Sequence, residues 1–128
     1  MNNLENLPCK ACNKQSLKLT ADQITTLLAQ LPHWHVTAVK KSKTDTSTDQ
    51  DRITIEKLCR EFNTKSYAAA VHLTNQIAHI AEAFEHHPEI FLEYTCVTVC
   101  WWTHTVNGLH ENDFIMAAKT SKLFQHEA

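Results

Sequence analysis

The alternation of apolar and polar positions changes period several times along this chain, and each change marks an element. Ile24, Leu27, Leu28 and Leu31 recur at helical spacing behind Thr20-Ala-Asp-Gln23. A threonine followed three residues later by glutamine can satisfy two orphan amides at a helix start. Pro32 ends that helix, because proline has no amide to donate and its ring clashes with the preceding turn. From Trp34 to Val39 the period falls to two, with Trp34, Val36 and Ala38 alternating against His35, Thr37 and Val39. A second alternating run, Arg52 to Phe62, sets Ile53, Ile55 and Cys59 against Thr54, Glu56 and Leu58. Lys40 to Asp51 between them is wholly polar. It reads as a long hairpin connection, so the two runs are expected as antiparallel strands.

Asn63 or Thr64 is expected to cap a long helix reaching to about His86. Tyr67, Ala70, Val71, Thr74, Ile77, Ala78, Ala81 and Phe84 give it an inward stripe. His72, Asn75, His79, Glu82 and His86 fall in a neighbouring sector. His72 and His79 read as a solvated edge. Glu82 and His86 are four apart at the helix end, within side-chain reach, and a carboxylate there would fix the tautomer of the ring. Pro88 breaks the helix. Tyr94 to Trp102 is rich in β-branched and aromatic residues and should be the most buried strand. Tyr94, Cys96, Thr98, Cys100, Trp102 and His104 would lie on one face, and Thr95, Val97, Val99, Trp101 and Thr103 on the other. Ile90 to Glu93 reads as a short extra strand, and Asn107-Gly108 as a turn. Asn112 would cap a last helix that turns Phe114, Ile115, Ala118 and Leu123 inward. Asp113 falls in its first turn, where the helix dipole favours a carboxylate. Helix, two strands, helix, strands, helix is an α+β order, with helices packed on one face of an antiparallel sheet.

Composition narrows the function classes. With 128 residues, 43% hydrophobic and 20% charged, the chain suits one domain with a real core. Residues 1–19 read as a polar N-terminal arm and residues 20–128 as that domain. A net charge of -2 without a basic cluster argues against a nucleic-acid partner. No apolar run is long enough to span a bilayer, and the N-terminus lacks the basic and apolar regions of a signal peptide, so a cytoplasmic protein with no membrane partner is expected. Five cysteines, an odd number, fit reduced thiols. Cys9-Lys-Ala-Cys12 is half of a zinc or redox motif. No second half follows, so it reads as two unpaired thiols in the arm. A single glycine rules out a glycine-rich phosphate loop, and no serine or cysteine nucleophile can be argued.

Nine histidines are the compositional oddity. His33 and His35 have no obvious partner and read as surface or core-edge residues. His86, His87 and His104 with Asp113 or Glu82 would supply enough nitrogen and oxygen ligands for a metal. Adjacent histidines, however, rarely turn both rings to one ion, and the zinc signature of two histidines four apart on a helix is absent. The alternative is metal-free proton transfer. Imidazole suits it because its ordinary pKa lies near neutrality.

Glu82-x-x-x-His86-His87-Pro88, five residues, Tyr94, nine residues, His104, eight residues, Asp113 resembles the signature of the pterin-4a-carbinolamine dehydratases. Trp101-Trp102-Thr103-His104 and Gly108-Leu109-His110-Glu111-Asn112-Asp113-Phe114-Ile115-Met116-Ala117 resemble its bacterial branch, as does the Cys9/Cys12 arm. The resemblance covers roughly residues 20–120. It implies a four-stranded antiparallel sheet with helices on one face, assembled as a homodimer or homotetramer. It also implies a lyase that dehydrates the 4a-hydroxytetrahydropterin released by aromatic amino acid hydroxylases, phenylalanine hydroxylase above all, to quinonoid dihydropterin. Pterin is then the substrate, and neither metal nor organic cofactor takes part. Carried over, His86, His87 and His104 are the catalytic histidines, with Glu82 and Asp113 in support. On this reading His86, held by Glu82, and His104 form the acid–base pair, and His87 orients the pterin. Trp102 either stacks on the pterin ring or packs in the core. Two other classes stay in contention. One is a non-catalytic binding module, since some relatives of the family are dimerisation partners of a transcription factor. The other is a zinc protein using Cys9/Cys12 or the histidines.

Overall fold

Thr20 opens the first helix as its sequence demands. Its Oγ1 accepts from the Gln23 amide at 3.2 Å, and Gln23 Oε1 accepts from the Thr20 amide at 2.9 Å, closing the capping box of α1 (Ala21–Leu28). The structure, a computed structural model, describes residues 4–9, 18–42 and 52–127. Beyond α1, Leu31 and Trp34 join Ile24 in the core. His33 and His35 are exposed, as expected.

β1 (His35–Ser42) pairs antiparallel with β2 (Arg52–Asn63), from His35 opposite Cys59 to Ser42 opposite Arg52. Most of the polar connection, 43–51, lies outside the described residues. α2 (Tyr67–Ala83) is capped by Ser66, whose Oγ accepts from the Ala69 amide at 3.0 Å. Asn63 and Thr64, the expected caps, are held by the sheet instead. Asn63 pairs with Cys96, and Thr64 gives both its amide and its hydroxyl to the Thr95 carbonyl. The buried stripe of α2 is Ala70, Leu73, Ile77 and Ala81. Tyr67 and Ala78, expected inside, are exposed.

β3 (Glu89–Glu93) and β4 (Cys96–Trp101) form a hairpin, and α3 (Glu111–Glu127) follows. The sheet is four-stranded and antiparallel in the order β1-β2-β4-β3, which is the α+β architecture expected. Tyr94 is a correction. It is 76% exposed with φ 39° in the two-residue turn between β3 and β4, not the start of the buried strand. Tyrosine and threonine are themselves strand formers, and no glycine or asparagine marks the turn, so the alternation runs through it unbroken.

β4 lies between β2 and β3. Val97, Val99 and Trp101 are fully buried on one face, opposite Phe62, Arg60 and Leu58 of β2. α2 and α3 contact the sheet and each other, bringing Leu73, Ile77, Phe114 and Ile115 into the same core. On the other face Cys59 and Cys100, directly opposed across β2 and β4, form a disulfide. This corrects the expectation of reduced thiols throughout. The spacing of these cysteines along the chain does not reveal that strand register makes them neighbours. Cys9 and Cys96 are free, and Cys12 lies outside the described residues. Part of the N-terminal arm is folded: Leu4–Asn6 makes a 3-10 turn against α3, Leu4 is buried, and Lys119 Nζ donates to the Glu5 carbonyl at 2.7 Å. Among the described residues no helix is long and apolar enough to cross a membrane.

Candidate active site

The geometry of the site begins where α2 ends. Phe84 caps the helix and Glu85 takes a left-handed conformation, φ 53°. The His86 amide returns to the Ala81 carbonyl at 3.0 Å and the Glu85 amide to the Glu82 carbonyl at 3.4 Å. This is a Schellman stop with a glutamate where glycine is usual. It ends the helical spacing before His86, so the expected Glu82–His86 pair does not form. Glu82 Oε1 instead lies 3.3 Å from His87 Nε2, with side chains 80% and 60% exposed.

His86 is held by Asp113. Its Nε2 lies 2.6 Å from Asp113 Oδ1. Asp113 Oδ2 accepts from Thr103 Oγ1 at 2.7 Å and from the His110 amide at 2.9 Å. A carboxylate with no exposed surface needs such donors, because burial strips it of water. The start of α3 supplies one of them. His110 precedes the helix, its Nδ1 accepts from the Asn112 amide at 3.1 Å, and its own amide is answered by Asp113 three residues on. That is a capping box with an imidazole in place of a hydroxyl. The helix therefore starts at Glu111, and Asn112, the expected cap, lies inside it.

Two consecutive tryptophans point to opposite faces, and each backs one histidine. Trp101 stacks with His86, centroids 5.7 Å apart and planes 8° from parallel. Its Nε1 donates to Thr120 Oγ1 at 3.2 Å, which donates to the Met116 carbonyl at 2.7 Å. Trp102 meets His104 at 3.7 Å with a 39° tilt. Lys57 Nζ lies 5.2 Å from the Trp102 ring and pairs with Glu89 at 2.5 Å. His104 opens a 3-10 turn, His104–Val106, closed by Asn107 at φ 52°. Thr103 and Gly108 pair across it, so the expected Asn107-Gly108 turn forms.

His86, His87 and His104 line one pocket of about 350 Å³ together with Glu85, Thr103 and Thr105. The three histidines singled out in the sequence are thus brought together. Asp113 sits beneath His86 as a buried anchor. Glu82 reaches the site only through His87, and Trp102 is buried below His104. Trp101, Thr103, Glu85 and the His110 amide were not anticipated as parts of the site. The His110-x-x-Asp113 spacing is the one signal that could have revealed the capping role. Among the described residues no group of three or more His, Cys, Asp or Glu is arranged to hold a metal ion. Such an arrangement can donate and accept protons at two imidazoles across a small pocket, one of them oriented by a carboxylate.

Comparison with known proteins adds an independent line. Residues 17–123 match the family described as pterin 4 alpha carbinolamine dehydratase. A protein of Photobacterium profundum is 40% identical over 125 residues, covering 98% of this chain and 100% of its own length. One of Nitrosococcus oceani is 37% identical over 126 residues, with the same coverages. Each is provisionally named a pterin-4-alpha-carbinolamine dehydratase. Among solved structures, the transcriptional coactivator/pterin dehydratase from Brucella melitensis superposes with a TM-score of 0.66 at 31% identity, covering 83% of this chain and 97% of that one.

Proposed function

The chain belongs to the pterin-4a-carbinolamine dehydratase family, and from that premise we propose that it is a hydro-lyase converting 4a-hydroxytetrahydropterin to quinonoid dihydropterin and water. The observation that carries the reading is the convergence of His86, His87 and His104 on one pocket, with His86 anchored on buried Asp113.

The reaction breaks the C4a–O bond and the N5–H bond. Hydroxide is a poor leaving group, so the oxygen takes a proton as it departs. The N5 proton goes to a base, and no proton is gained or lost overall. A carboxylate only accepts, so His86 gives Nε2–H to Asp113 and keeps Nδ1 as its proton-accepting nitrogen. In the proposal His86 is the base at N5, and His104, resting on Trp102, delivers the proton to the 4a-hydroxyl. His87 orients the pterin from the open side, steadied by Glu82. Neither metal nor organic cofactor enters, pterin being the substrate. The pterin would come from an aromatic amino acid hydroxylase in the cytoplasm. A homodimer or homotetramer is the proposed assembly, and the outer strand β3 with exposed Phe91 and the adjoining Tyr94 offers a surface for it.

The test is a coupled hydroxylase assay that follows decay of the 4a-carbinolamine absorbance. Wild type should accelerate the decay, and His86→Ala and His104→Ala should each lose about 10²- to 10⁴-fold. A folded wild type that leaves the decay at its uncatalysed rate refutes the proposal. It would also favour the binding-module reading, which draws on the coactivator function named for the Brucella protein.

A further inference from the structure

Arg60 carries a charge that no described carboxylate answers. Its Nη1 donates to Ser121 Oγ at 3.0 Å, while its Nε is buried and makes no hydrogen bond. The guanidinium lies against two aromatic rings, 4.4 Å from Phe62 and 5.5 Å from Phe124. Burial pulls its pKa below the ordinary arginine value. An arginine offers five N–H donors and no acceptor, and among the described residues only Ser121 takes a hydrogen bond from it. Ser121 Oγ also accepts from Trp34 Nε1 at 2.7 Å. Having accepted twice, that hydroxyl has used both lone pairs and has only its proton left to give.

Arg60 and Ser121 line a cleft of about 670 Å³ between the N-terminal turn, the segment after α1 and the last turns of α3. Lys122 brings a second cation to its wall, and Leu4, Leu31 and Phe124 supply apolar surface. Glu5 is the only carboxylate among the lining residues, and it makes no ion pair with Arg60 or Lys122 among the described residues. His33 stands on the same wall with φ 77°, a conformation uncommon outside glycine and asparagine that persists only where its surroundings hold it. The volume falls within the range of small-molecule sites, which combine apolar lining with a few convergent polar groups. No residue is shared with the histidine pocket.

We infer that this cleft is a second binding site, for a small organic oxyanion: a carboxylate or phosphate ester on an apolar body. Arg60 and Lys122 supply the charge, the Ser121 hydroxyl donates a hydrogen bond, and Leu31 and Phe124 receive the apolar part. The guanidinium Nη groups that meet no described acceptor account for the oxyanion, since arginine's fork of donors matches carboxylate and phosphate oxygens.

The full chain is titrated with benzoate, phenyl phosphate, inorganic phosphate and benzyl alcohol while the Trp34 indole N–H is followed in a ¹H–¹⁵N spectrum. That indole bonds the same serine and reports directly on it. Benzoate or phenyl phosphate should shift the signal saturably with a dissociation constant below about 1 mM, and the tighter of the two identifies the anion. Inorganic phosphate and benzyl alcohol should bind about tenfold more weakly or not at all, each lacking one half of the ligand. Arg60→Met and the exposed Lys122→Glu should each weaken the organic anion about tenfold. Lys122→Glu serves as the deciding variant if Arg60→Met does not fold. The inference is overturned by no saturable shift with either organic anion, by inorganic phosphate or benzyl alcohol binding equally well, or by unchanged affinity in folded Lys122→Glu.

Discussion

Asp113 binds His86 through one carboxylate oxygen, at 2.6 Å, and holds the Thr103 hydroxyl and the His110 amide through the other. One buried side chain therefore fixes a histidine, joins the end of β4 to the site and starts α3. Asp113→Asn keeps the size of the side chain but loses one acceptor oxygen. We expect kcat to fall roughly 10- to 100-fold, as when an orienting partner of a histidine is removed, with little change in KM. Stability to urea should drop by about 2 kcal/mol, because hydrogen bonds to a charged group are lost. Steady-state kinetics and urea unfolding on one preparation check both.

Glu82→Gln should behave differently. The Glu82–His87 contact is long and mostly exposed, and such pairs contribute little in water. Activity should stay within about twofold of wild type, measured under the same conditions as Asp113→Asn. A loss as large as that of Asp113→Asn would return Glu82 to the role of anchor that its spacing to His86 suggests.

Glu85 is the strained hinge between α2 and the histidine pair. A left-handed residue with a side chain carries a penalty of about 1–2 kcal/mol that glycine escapes. Glu85→Gly should match or slightly exceed wild-type stability and keep activity. Glu85→Val, β-branched at positive φ, should destabilise by roughly 1–2 kcal/mol and lower kcat by displacing His86. Thermal unfolding together with kinetics separates the two outcomes.

Trp102 is 4% exposed beneath His104, which suits support of that ring better than stacking on a pterin. Trp102→Leu should reduce kcat while leaving the KM for the pterin within about twofold, since uniform binding is not what is removed. A raised KM at constant kcat would instead assign Trp102 to substrate binding.

Cys9 lies close enough to the anchor to feel it. Burial pushes its thiol above the ordinary cysteine value, partly offset by Lys119 and reinforced by the Asp113 charge. A raised pKa means less thiolate at a given pH, and the thiolate is the nucleophile. Alkylation of Cys9 by iodoacetamide should therefore lag behind that of a free cysteine at pH 8. Its rate should go on climbing at pH values where the free thiol has levelled. Peptide mass spectrometry across a pH series reads both.

Much of the fold was legible because its signals are local. The α1 capping box and the two alternating runs of β1 and β2 appear as read, whereas α2 ends at Ala83, before the proline that was expected to break it. The failures share a cause: each needed knowledge of a neighbour distant in sequence or of a backbone conformation without a sequence marker. Glu82 and His86 look paired only while the helix continues, and a left-handed glutamate stops it with no glycine to announce the stop. Tyr94 sits in a turn built from strand-forming residues. Cys59 and Cys100 become neighbours through strand register, 41 residues apart. His86, His87 and His104 with Asp113 or Glu82 were singled out by residue type, and the family resemblance gave them their roles. Periodicity alone places His86 at a helix end and His104 on a strand face, without bringing them together.

The adjacency of Trp101 and Trp102 has a mechanical meaning. The pleat of a strand sends consecutive side chains to opposite sides, and β4 is an interior strand clamped by ladders on both edges. The separation of the two histidine supports is thereby set by one peptide unit at the end of a strand that cannot slide without breaking both ladders. Fraying at the far ends of α2 and α3 leaves that ruler untouched. The relative placement of His86 and His104 should persist until the sheet itself comes apart, so that pocket geometry and global unfolding are lost in the same cooperative step.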